Sequence, residues 1–213
     1  QRTEVGRVSE EYAIELKNIT KRFGKVTAND KVCLSVRRGE ILSILGENGS
    51  GKTTLNEKVV ECLRSLGYSV SCVKDAHHQV DLDTPGKDTY RYRVSGAEQV
   101  ILRTPDRWAL MEETPEGRKP LGDILRAMKP VDFVLLEGFK DDGDFPRIEV
   151  SRGPHKEAPL WTKRGDIVAV ASDTPEGIPP GMPWLNLNEP RQVADFIVSL
   201  RDSWMKEKDN VKE

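Results

Sequence analysis

The sequence predicts an α/β fold with a mostly parallel sheet flanked by helices and an antiparallel strand pair near the N-terminus. Residues 40–74 contain an apolar strand, a glycine-rich loop, an amphipathic helix and a second strand, which is the crossover unit of a doubly wound sheet. Further strands and helices alternate down to an amphipathic helix at 189–205. Upstream, 12–18 and 31–39 alternate apolar and polar residues, as half-buried strands joined by a turn do.

The first crossover unit follows from periodicity. "EILSIL" at 40–45 is apolar almost throughout, which is typical of a parallel strand covered on both faces. A helix predicted over 52–67 has one apolar stripe, and Gly67 suits its C-terminal end. The stripe consists of Leu55, Val59, Cys62, Leu63 and Leu66. "YSVSCVK" at 68–74 is the next strand, and we expect it to run parallel to the first.

The downstream elements are shorter. We predict a helix over 89–97, a strand pair at 98–104 and 107–113, a helix over 121–129, and strands at 131–139, 146–152 and 166–173. The closing helix is expected to turn Val193, Phe196, Ile197 and Leu200 inward. We divide the chain into an N-terminal strand extension at 1–38, a nucleotide-binding domain at 39–205 and a charged tail at 206–213.

Composition excludes several function classes. The net charge of −2 does not favour nonspecific binding to nucleic acid or to anionic lipid. The longest apolar runs, such as 167–171, are too short to span a bilayer. Cys33, Cys62 and Cys72 form neither a C-x-x-C pair nor a zinc spacing. We therefore expect buried, reduced thiols in a cytoplasmic protein.

The glycine-rich loop is a phosphate-binding motif. "GENGSGKT" at 46–53 fits G-x-x-x-x-G-K-[ST] at every fixed position, between an apolar strand and a helix. Backbone N–H groups of such a loop point at one anion, and the helix N-terminus adds partial positive charge. Lys52 is expected to reach the β- and γ-phosphates and Thr53 to bind Mg²⁺. The predicted nucleotide-binding residues are Gly46, Asn48, Gly49, Ser50, Gly51, Lys52, Thr53 and Thr54. The fold class is accordingly a P-loop NTPase.

A P-loop site also needs an acidic residue at a strand end. "FVLLEG" places Glu137 after four apolar residues, where it could hold the Mg²⁺ shell or polarise a water. We therefore predict Lys52 and Glu137 as the catalytic residues and Thr53 and Glu137 as the metal-binding residues. The alternative for Glu137 is an ordinary exposed glutamate at the end of a strand.

The polar loop after the second strand is a candidate switch. P-loop enzymes place a mobile loop beside the γ-phosphate at this point of the chain. Asp81, Asp83 and Lys87 are the candidates for contact with the γ-phosphate or Mg²⁺, and Asp88 is a possible helix cap. One alternative is a solvated polar loop without a ligand. Another is a metal cluster, although the spacing fits no standard zinc pattern; its members would be Asp75, His77, His78, Asp81 and Asp83.

Residues 12–55 resemble the opening of an ABC transporter ATPase subunit, because "ELKNITKRFGKV" and "GEILSILGENGSGKTTL" follow that family's phrasing. The resemblance implies ATP as the nucleotide, with Phe23 in the place of the aromatic residue that stacks on adenine. No Q-loop, D-loop or H-loop histidine is evident. "VSGAEQ" at 94–99 lies too early to be the family's signature motif, so the resemblance ends just beyond the P-loop.

Residues 46–202 resemble the MobB family of molybdopterin-guanine dinucleotide biosynthesis adapters, on the phrases "DLDTPGKDTY", "FVLLEGFK", "PRIEVSR" and "IVAVASD". The resemblance implies a GTP-binding protein, usually a homodimer, that assists the guanylyltransferase of molybdenum cofactor. Asp75 departs from it, because the family tends to have a histidine there. MobB proteins usually begin at the P-loop strand, so residues 1–38 are extra. The chain looks like a fusion, natural or engineered, of two P-loop proteins that share one P-loop.

The base specificity is predicted from the end of a late strand. Asp173 in "VASD" stands where guanine-specific P-loop proteins accept hydrogen bonds from the N1 and N2 groups of the base, although an aspartate before Thr-Pro is also common in turns. The leading hypothesis is a Mg²⁺-dependent GTP-binding protein with weak or conditional hydrolysis. The alternatives are an ATPase that uses Phe23, a nucleotide-gated adapter without turnover, and a hybrid whose N-terminal strand pair does not pack.

Overall fold

The computed structural model describes residues 12–23, 26–37, 41–76, 78, 80–143, 145–153 and 158–210, with only the backbone described within 12–37 and 204–210. Its strands are β1 Tyr12–Phe23, β2 Val26–Arg37, β3 Ile41–Gly46, β4 Val70–Lys74, β5 Gln99–Arg103, β6 Trp108–Glu112, β7 Phe133–Glu137, β8 Arg147–Ser151, β9 Ile167–Ser172 and β10 Trp184–Asn186. Its α-helices are α1 Lys52–Ser65, α2 Asp88–Val94, α3 Leu121–Ala127 and α4 Pro190–Asn210, and Leu160–Thr162 form a 3₁₀ turn.

A six-stranded parallel sheet organises the larger of two compact units. Its strand order is β10-β9-β8-β3-β7-β4, so β3 lies between β7 and β8. Because all pairs in this sheet are parallel, the carboxyl ends of the strands lie along one edge. The register sets Ile44 opposite Glu137 and Gly46 opposite Val150. The predicted α/β fold with a mostly parallel sheet is confirmed.

One face of this sheet packs against α1 and α4. Leu55, Val59 and Leu63 form the buried stripe of α1, and Val193, Ala194 and Ile197 form that of α4. The strands contribute alternate residues to the same core, which is the pattern of a face-on helix layer. These sheet residues are Leu42, Ile44, Phe133, Leu135, Ile148, Val150, Ala169 and Ala171. Two predicted stripe residues lie at the margin, because Cys62 is half-buried and Leu66 is exposed.

Helix α1 ends where the sequence predicts, for a geometric reason. Gly67 has a φ of 92°, a left-handed conformation that glycine adopts without strain. Its N–H donates to the carbonyl of Arg64 at 3.0 Å, and the N–H of Tyr68 donates to that of Leu63 at 3.1 Å. This pair of bonds is a Schellman motif, which satisfies carbonyls that the helix leaves without partners.

Two further sheets are antiparallel pairs. β1 pairs with β2, as predicted for the N-terminal segment, although the strands are longer than the sequence indicated. β5 pairs with β6 within the second compact unit, Ala76–Met128, which also contains α2 and α3. None of the described helices is long and apolar enough to cross a membrane.

Several sequence expectations need correction. Cys72 is exposed, because β4 is the edge strand of the sheet and its outer positions are not covered; the side chain of Cys33 lies outside the described residues. The strand β10 was not predicted, since three residues between proline- and glycine-rich turns carry no periodicity. The helix α4 continues to Asn210, beyond its predicted end at 205.

A buried arginine holds the loop that follows β7. The Arg147 side chain is 1% exposed and forms an ion pair with Asp166. Its guanidinium also donates to the carbonyls of Phe139, Asp142, Gly143 and Phe145. Hydrogen bonding from Arg164, followed by the charge of Arg147, lowers the pKa of Asp166 against the opposing effect of burial. This network ties Phe139, Asp142, Gly143 and Phe145, which follow β7, to the start of β8.

Replacing Arg147 with methionine tests this role. The change keeps most of the volume but removes all the donors, so we expect a loss of about 3 kcal/mol in unfolding free energy. Urea denaturation followed by circular dichroism measures it. The control is Arg126→Met, which removes only the exposed helical pair with Asp123 and should change stability by less than about 0.5 kcal/mol. Equal midpoints for the two variants would contradict a stabilising role for the network.

Candidate functional site

The P-loop follows β3 at the carboxyl edge of the parallel sheet. Gly46 has a φ of 146°, and a Cβ there would lie 2.3 Å from the Val150 carbonyl oxygen and 2.8 Å from Ser50 Oγ. The Val150 oxygen belongs to the backbone of β8 and cannot move aside, so only glycine fits at this position. Gly49 and Gly51 have φ values of 87° and 91°, also in the left-handed region. The two fixed glycines of the motif, Gly46 and Gly51, and Gly49 between them thus all have backbone conformations that favour glycine.

The helix that follows leaves its first amides available to a ligand. Gly51 is the N-cap residue of α1 and supplies no side-chain hydrogen bond, and the first turn holds no acidic residue. The hydroxyl Oγ of Ser50 is buried and lacks a hydrogen-bond partner among the described residues. Buried polar atoms and helix N-termini are normally satisfied. An anion seated in the loop would supply acceptors to both sets of donors.

Lys52 folds back over the loop. Its Nζ donates to the carbonyl oxygens of Gly46 at 2.9 Å and Glu47 at 2.7 Å. Burial lowers the pKa of Lys52, and the nearby charges of Lys140 and Lys74 act in the same direction, while the carboxylate of Glu137 opposes them. The charges of Lys74 and Lys140 thus act on Lys52 beside the P-loop, and such positive charge suits a phosphate group.

Glu137 ends β7 directly beside the first residues of α1. Its carboxylate accepts from Thr53 Oγ1 at 3.0 and 3.2 Å to the two oxygens, and Lys74 Nζ lies 3.1 Å from Oε1. The Glu137 side chain is only 14% exposed, so these contacts are partly shielded from water. A hydroxyl and a carboxylate in contact form the protein share of a Mg²⁺ site in which substrate phosphates and waters complete the shell. The residues present therefore fit the metal.

Backbone and hydroxyl contacts hold Glu137 in place. The Glu137 carbonyl accepts from the Asp75 amide at 2.9 Å, and Ser43, fully buried on β3, donates from Oγ to the Gly138 carbonyl at 2.9 Å. A Cβ on Gly138, whose φ is 92°, would come within 3.1 Å of the Asp75 Cβ. The end of β7 is thus clamped between its two neighbouring strands.

Asp173 follows β9 at the same edge of the sheet. Its Oδ1 accepts from Asn188 Nδ2 at 3.1 Å, and its Oδ2 lies 3.2 Å from Nε of Arg152. The side chain is 39% exposed, so a ligand can reach it. Both oxygens are oriented by neighbours, which holds the carboxylate in a defined position.

The predicted switch residues belong to the second unit, where Asp81 and Asp83 contact each other. Asp83 Oδ1 accepts from the Thr84 amide at 2.9 Å and from Thr89 Oγ1 at 2.8 Å. Asp81 accepts from the Asp83 amide at 3.1 Å, and Arg93 lies within 3.9 Å of both carboxylates. Lys87, rather than Asp88, is the N-cap residue of α2. These carboxylates order the turn before α2, and their approach to a phosphate stays a prediction.

Sequence reasoning found part of this site and missed the rest. The P-loop, Glu137 and Asp173 lie at the carboxyl edge of one sheet, as expected. The contributions of Lys74, Lys140, Arg152 and Asn188 were not predicted. The position of Arg152 at the end of a predicted strand was the available signal. The side chain of Phe23 lies outside the described residues.

Comparison with known proteins agrees with this arrangement. A family model for "Molybdopterin guanine dinucleotide synthesis protein B" (MobB) matches residues 41–173. The chain is 35% identical over 170 residues to the molybdopterin-guanine dinucleotide biosynthesis adapter protein of Escherichia coli, covering 78% of this chain and 93% of that protein. A shorter similarity, 64% identity over 44 residues, links 21% of this chain to 9% of the xylose import ATP-binding protein XylG of Escherichia coli.

Solved structures give the same result. A crystal structure of molybdopterin-guanine biosynthesis protein B superimposes with a TM-score of 0.59 at 30% identity, covering 75% of this chain and 99% of the other. The short similarity to XylG is consistent with the ABC-like opening of the sequence. Since the family model matches more than half of the chain and the adapter relative is matched over almost its full length, the chain belongs to the MobB family.

Proposed function

We propose that the chain is a nucleotide-binding adapter for the guanylylation of molybdenum cofactor, with GTP and Mg²⁺ in the P-loop and weak or conditional hydrolysis. The observation that carries the proposal is the hydrogen bond from the Thr53 hydroxyl to the Glu137 carboxylate at the end of the P-loop. The proposed role in the guanylylation of molybdenum cofactor is supported by the Escherichia coli relative, which is named as an adapter of molybdopterin-guanine dinucleotide biosynthesis.

The phosphates of the nucleotide would enter among the P-loop amides. Lys52 Nζ would exchange its two carbonyl contacts for phosphate oxygens, which are stronger acceptors because they are charged. Ser50 Oγ and the first amides of α1 would gain the acceptors that they lack. The charges of Lys74 and Lys140, which lower the pKa of Lys52, add to the attraction for phosphate. Binding of phosphate would thus offset the repulsion that the charges of Lys74 and Lys140 exert on Lys52.

The metal would be held by Thr53 and Glu137. When bound, Mg²⁺ neutralises charge on the phosphates and fixes their orientation. Glu137 accepts a hydrogen bond from the Thr53 hydroxyl and so holds this hydroxyl in place at the start of α1. Lys74 Nζ, 3.1 Å from Oε1 of Glu137, helps to hold the carboxylate in this orientation.

The base would be read by Asp173. A carboxylate accepts from both the N1–H and the N2 amino group of guanine, whereas adenine has no donor at either place. The alternative, ATP chosen by stacking on Phe23, rests on the similarity of the N-terminal segment to ABC ATPases. The exposed position of Asp173 at the sheet edge favours the guanine assignment.

We also propose that two copies associate through the β5–β6 hairpin. Ile101 pairs with Leu110 across the hairpin, and Trp108 lies on the same face; their side chains are 63%, 41% and 62% exposed. A two-stranded sheet with an apolar face is marginally stable in water. The identical hairpin of a second copy can cover this face, since a two-fold axis brings each patch against itself. The homodimer implied by the family resemblance thus has a surface that suits it.

Nucleotide binding is tested by thermal unfolding of the full chain with MgGTP or MgATP. At about 100 times the Kd, GTP should raise Tm by roughly 5–10 °C, and ATP should raise it less. Lys52→Ala should abolish most of the shift. The matched control is Lys58→Ala on the same helix, where the lysine pairs only with Glu61 and the shift should persist. A larger shift with ATP would overturn the guanine assignment, and no shift with either nucleotide would overturn the proposed site.

The adapter role is tested by capture on immobilised molybdenum cofactor guanylyltransferase from the same source. We expect the chain to bind in the presence of MgGTP and the Lys52→Ala variant to bind at least tenfold more weakly, since each lost charge-assisted bond costs about 1.5–3 kcal/mol. Surface plasmon resonance with and without nucleotide measures the difference. Equal binding by the two proteins under both conditions would show that nucleotide does not gate the partner.

The dimer is tested by light scattering coupled to size-exclusion chromatography. Trp108→Glu places a charge in the apolar face and should convert a dimer to a monomer. Leu82→Glu is the matched control, because Leu82 is 80% exposed in the same unit but lies outside the hairpin, and it should leave the mass unchanged. A wild-type chain that is monomeric at tens of micromolar, or a dimer insensitive to Trp108→Glu, would contradict the assignment.

A further inference from the structure

Arg152 occupies a position between the two ends of the proposed nucleotide site. It follows β8, which lies between β3, the strand that leads into the P-loop, and β9, the strand that leads to Asp173. The register sets Val150 opposite Gly46 and Ser151 opposite Ser172. The residue after Ser151 therefore emerges at the carboxyl edge with the P-loop on one side and Asp173 on the other.

The guanidinium of Arg152 reaches both neighbours. Its Nε lies 3.2 Å from Oδ2 of Asp173. Its Nη1 and Cζ lie 3.6 and 3.8 Å from the point that a Cβ on Gly51 would occupy. Gly51 immediately precedes Lys52, so the cation lies against the part of the loop that is proposed to hold phosphate. The Arg152 side chain is 48% exposed and is accessible to a ligand from solvent.

The chemistry of arginine suits a bridging role. The guanidinium has donors on two edges, and it binds phosphate oxygens in a forked geometry that lysine cannot reproduce. The Nε edge is directed at Asp173, which leaves the Nη edge on the P-loop side. A carboxylate has about four acceptor sites, so Asp173 can accept from Arg152 and Asn188 and still receive donors from a base.

We infer that Arg152 is a nucleotide-positioning residue that binds a phosphate group through its Nη atoms and orients Asp173 for the base through Nε. This inference rests on the proposed nucleotide site and adds a residue that couples its phosphate end to its base end. The ligand class is a purine nucleoside di- or triphosphate. Loss of Arg152 removes a phosphate donor and frees Asp173 to rotate, so affinity and base selectivity fall together.

The test compares GTP, GDP, guanosine and ATP by isothermal titration in the presence of Mg²⁺. Arg152→Gln should weaken GTP and GDP binding by about tenfold or more, as expected for the loss of a charge-assisted contact. It should leave guanosine much less affected, and it should reduce the preference for GTP over ATP. Arg152→Lys should restore part of the phosphate affinity but not the preference, because lysine lacks the second edge that holds Asp173.

Controls separate this inference from the proposed function and from misfolding. Arg64→Gln makes the same charge change at the far end of α1 and should bind as the wild type does; unchanged circular dichroism of each variant excludes unfolding. In a double-mutant cycle, Asp173→Asn should make the effect of Arg152→Gln on the GTP-to-ATP ratio disappear. If the wild type binds GTP and Arg152→Gln keeps its affinity and its preference, the inference is overturned while the proposed site stands. If the wild type binds no nucleotide, both are overturned.

Discussion

The parallel pairing of β3 with both β7 and β8 is the constraint on which the site depends. Because the three strands run in one direction, the P-loop, Glu137 and Arg152 all emerge at the same edge of the sheet. The pairing of Ile44 with Glu137 sets the carboxylate level with the first turn of α1. A shift of one residue in this register would turn Glu137 to the opposite face of the sheet and separate it from Thr53. The apolar core beneath the edge makes such a shift costly. The packing that fixes the strand register therefore also fixes the geometry of the site.

The electrostatics of the edge are arranged for an added anion. Lys52 is partly buried, and the charges of Lys74, Lys140 and Glu137 all act on it. Lys52 compensates by donating to two loop carbonyls, which are weaker acceptors than phosphate oxygens. Such a site gains more from binding a polyanion than an exposed cluster would, since burial weakens the competing interaction with water. Burial of Lys52 is also the largest contribution to the lowering of its pKa.

Local patterns predicted the parts of the site that depend on neighbouring residues in the sequence. The strand-loop-helix order around the P-loop and the four apolar residues before Glu137 are short-range signals, and both elements form as expected. The role of Arg152 depends on which strands are adjacent, and the periodicity of apolar residues does not predict strand order. The exposure of Cys72 has the same origin, because an edge strand and a central strand can carry similar residues. Asp81 and Asp83 were predicted to approach phosphate because their loop follows the strand beside the P-loop. Position alone does not show whether an aspartate binds a ligand or forms an Asx turn, as Asp81 does with the Asp83 amide.

The choice between GTP and ATP has to be made away from the P-loop. Both nucleotides present the same triphosphate to Lys52 and Thr53, so the motif shared by ABC ATPases and MobB proteins cannot discriminate between them. Discrimination requires a group that meets the base, and the parallel sheet brings Asp173 to the same edge two strands away from β3. The similarity to XylG extends over 44 residues, whereas the match to the MobB family model extends to residue 173. Asp173, the proposed reader of guanine, therefore lies within the match to MobB, whereas Phe23, the alternative contact for the base, lies in the ABC-like segment.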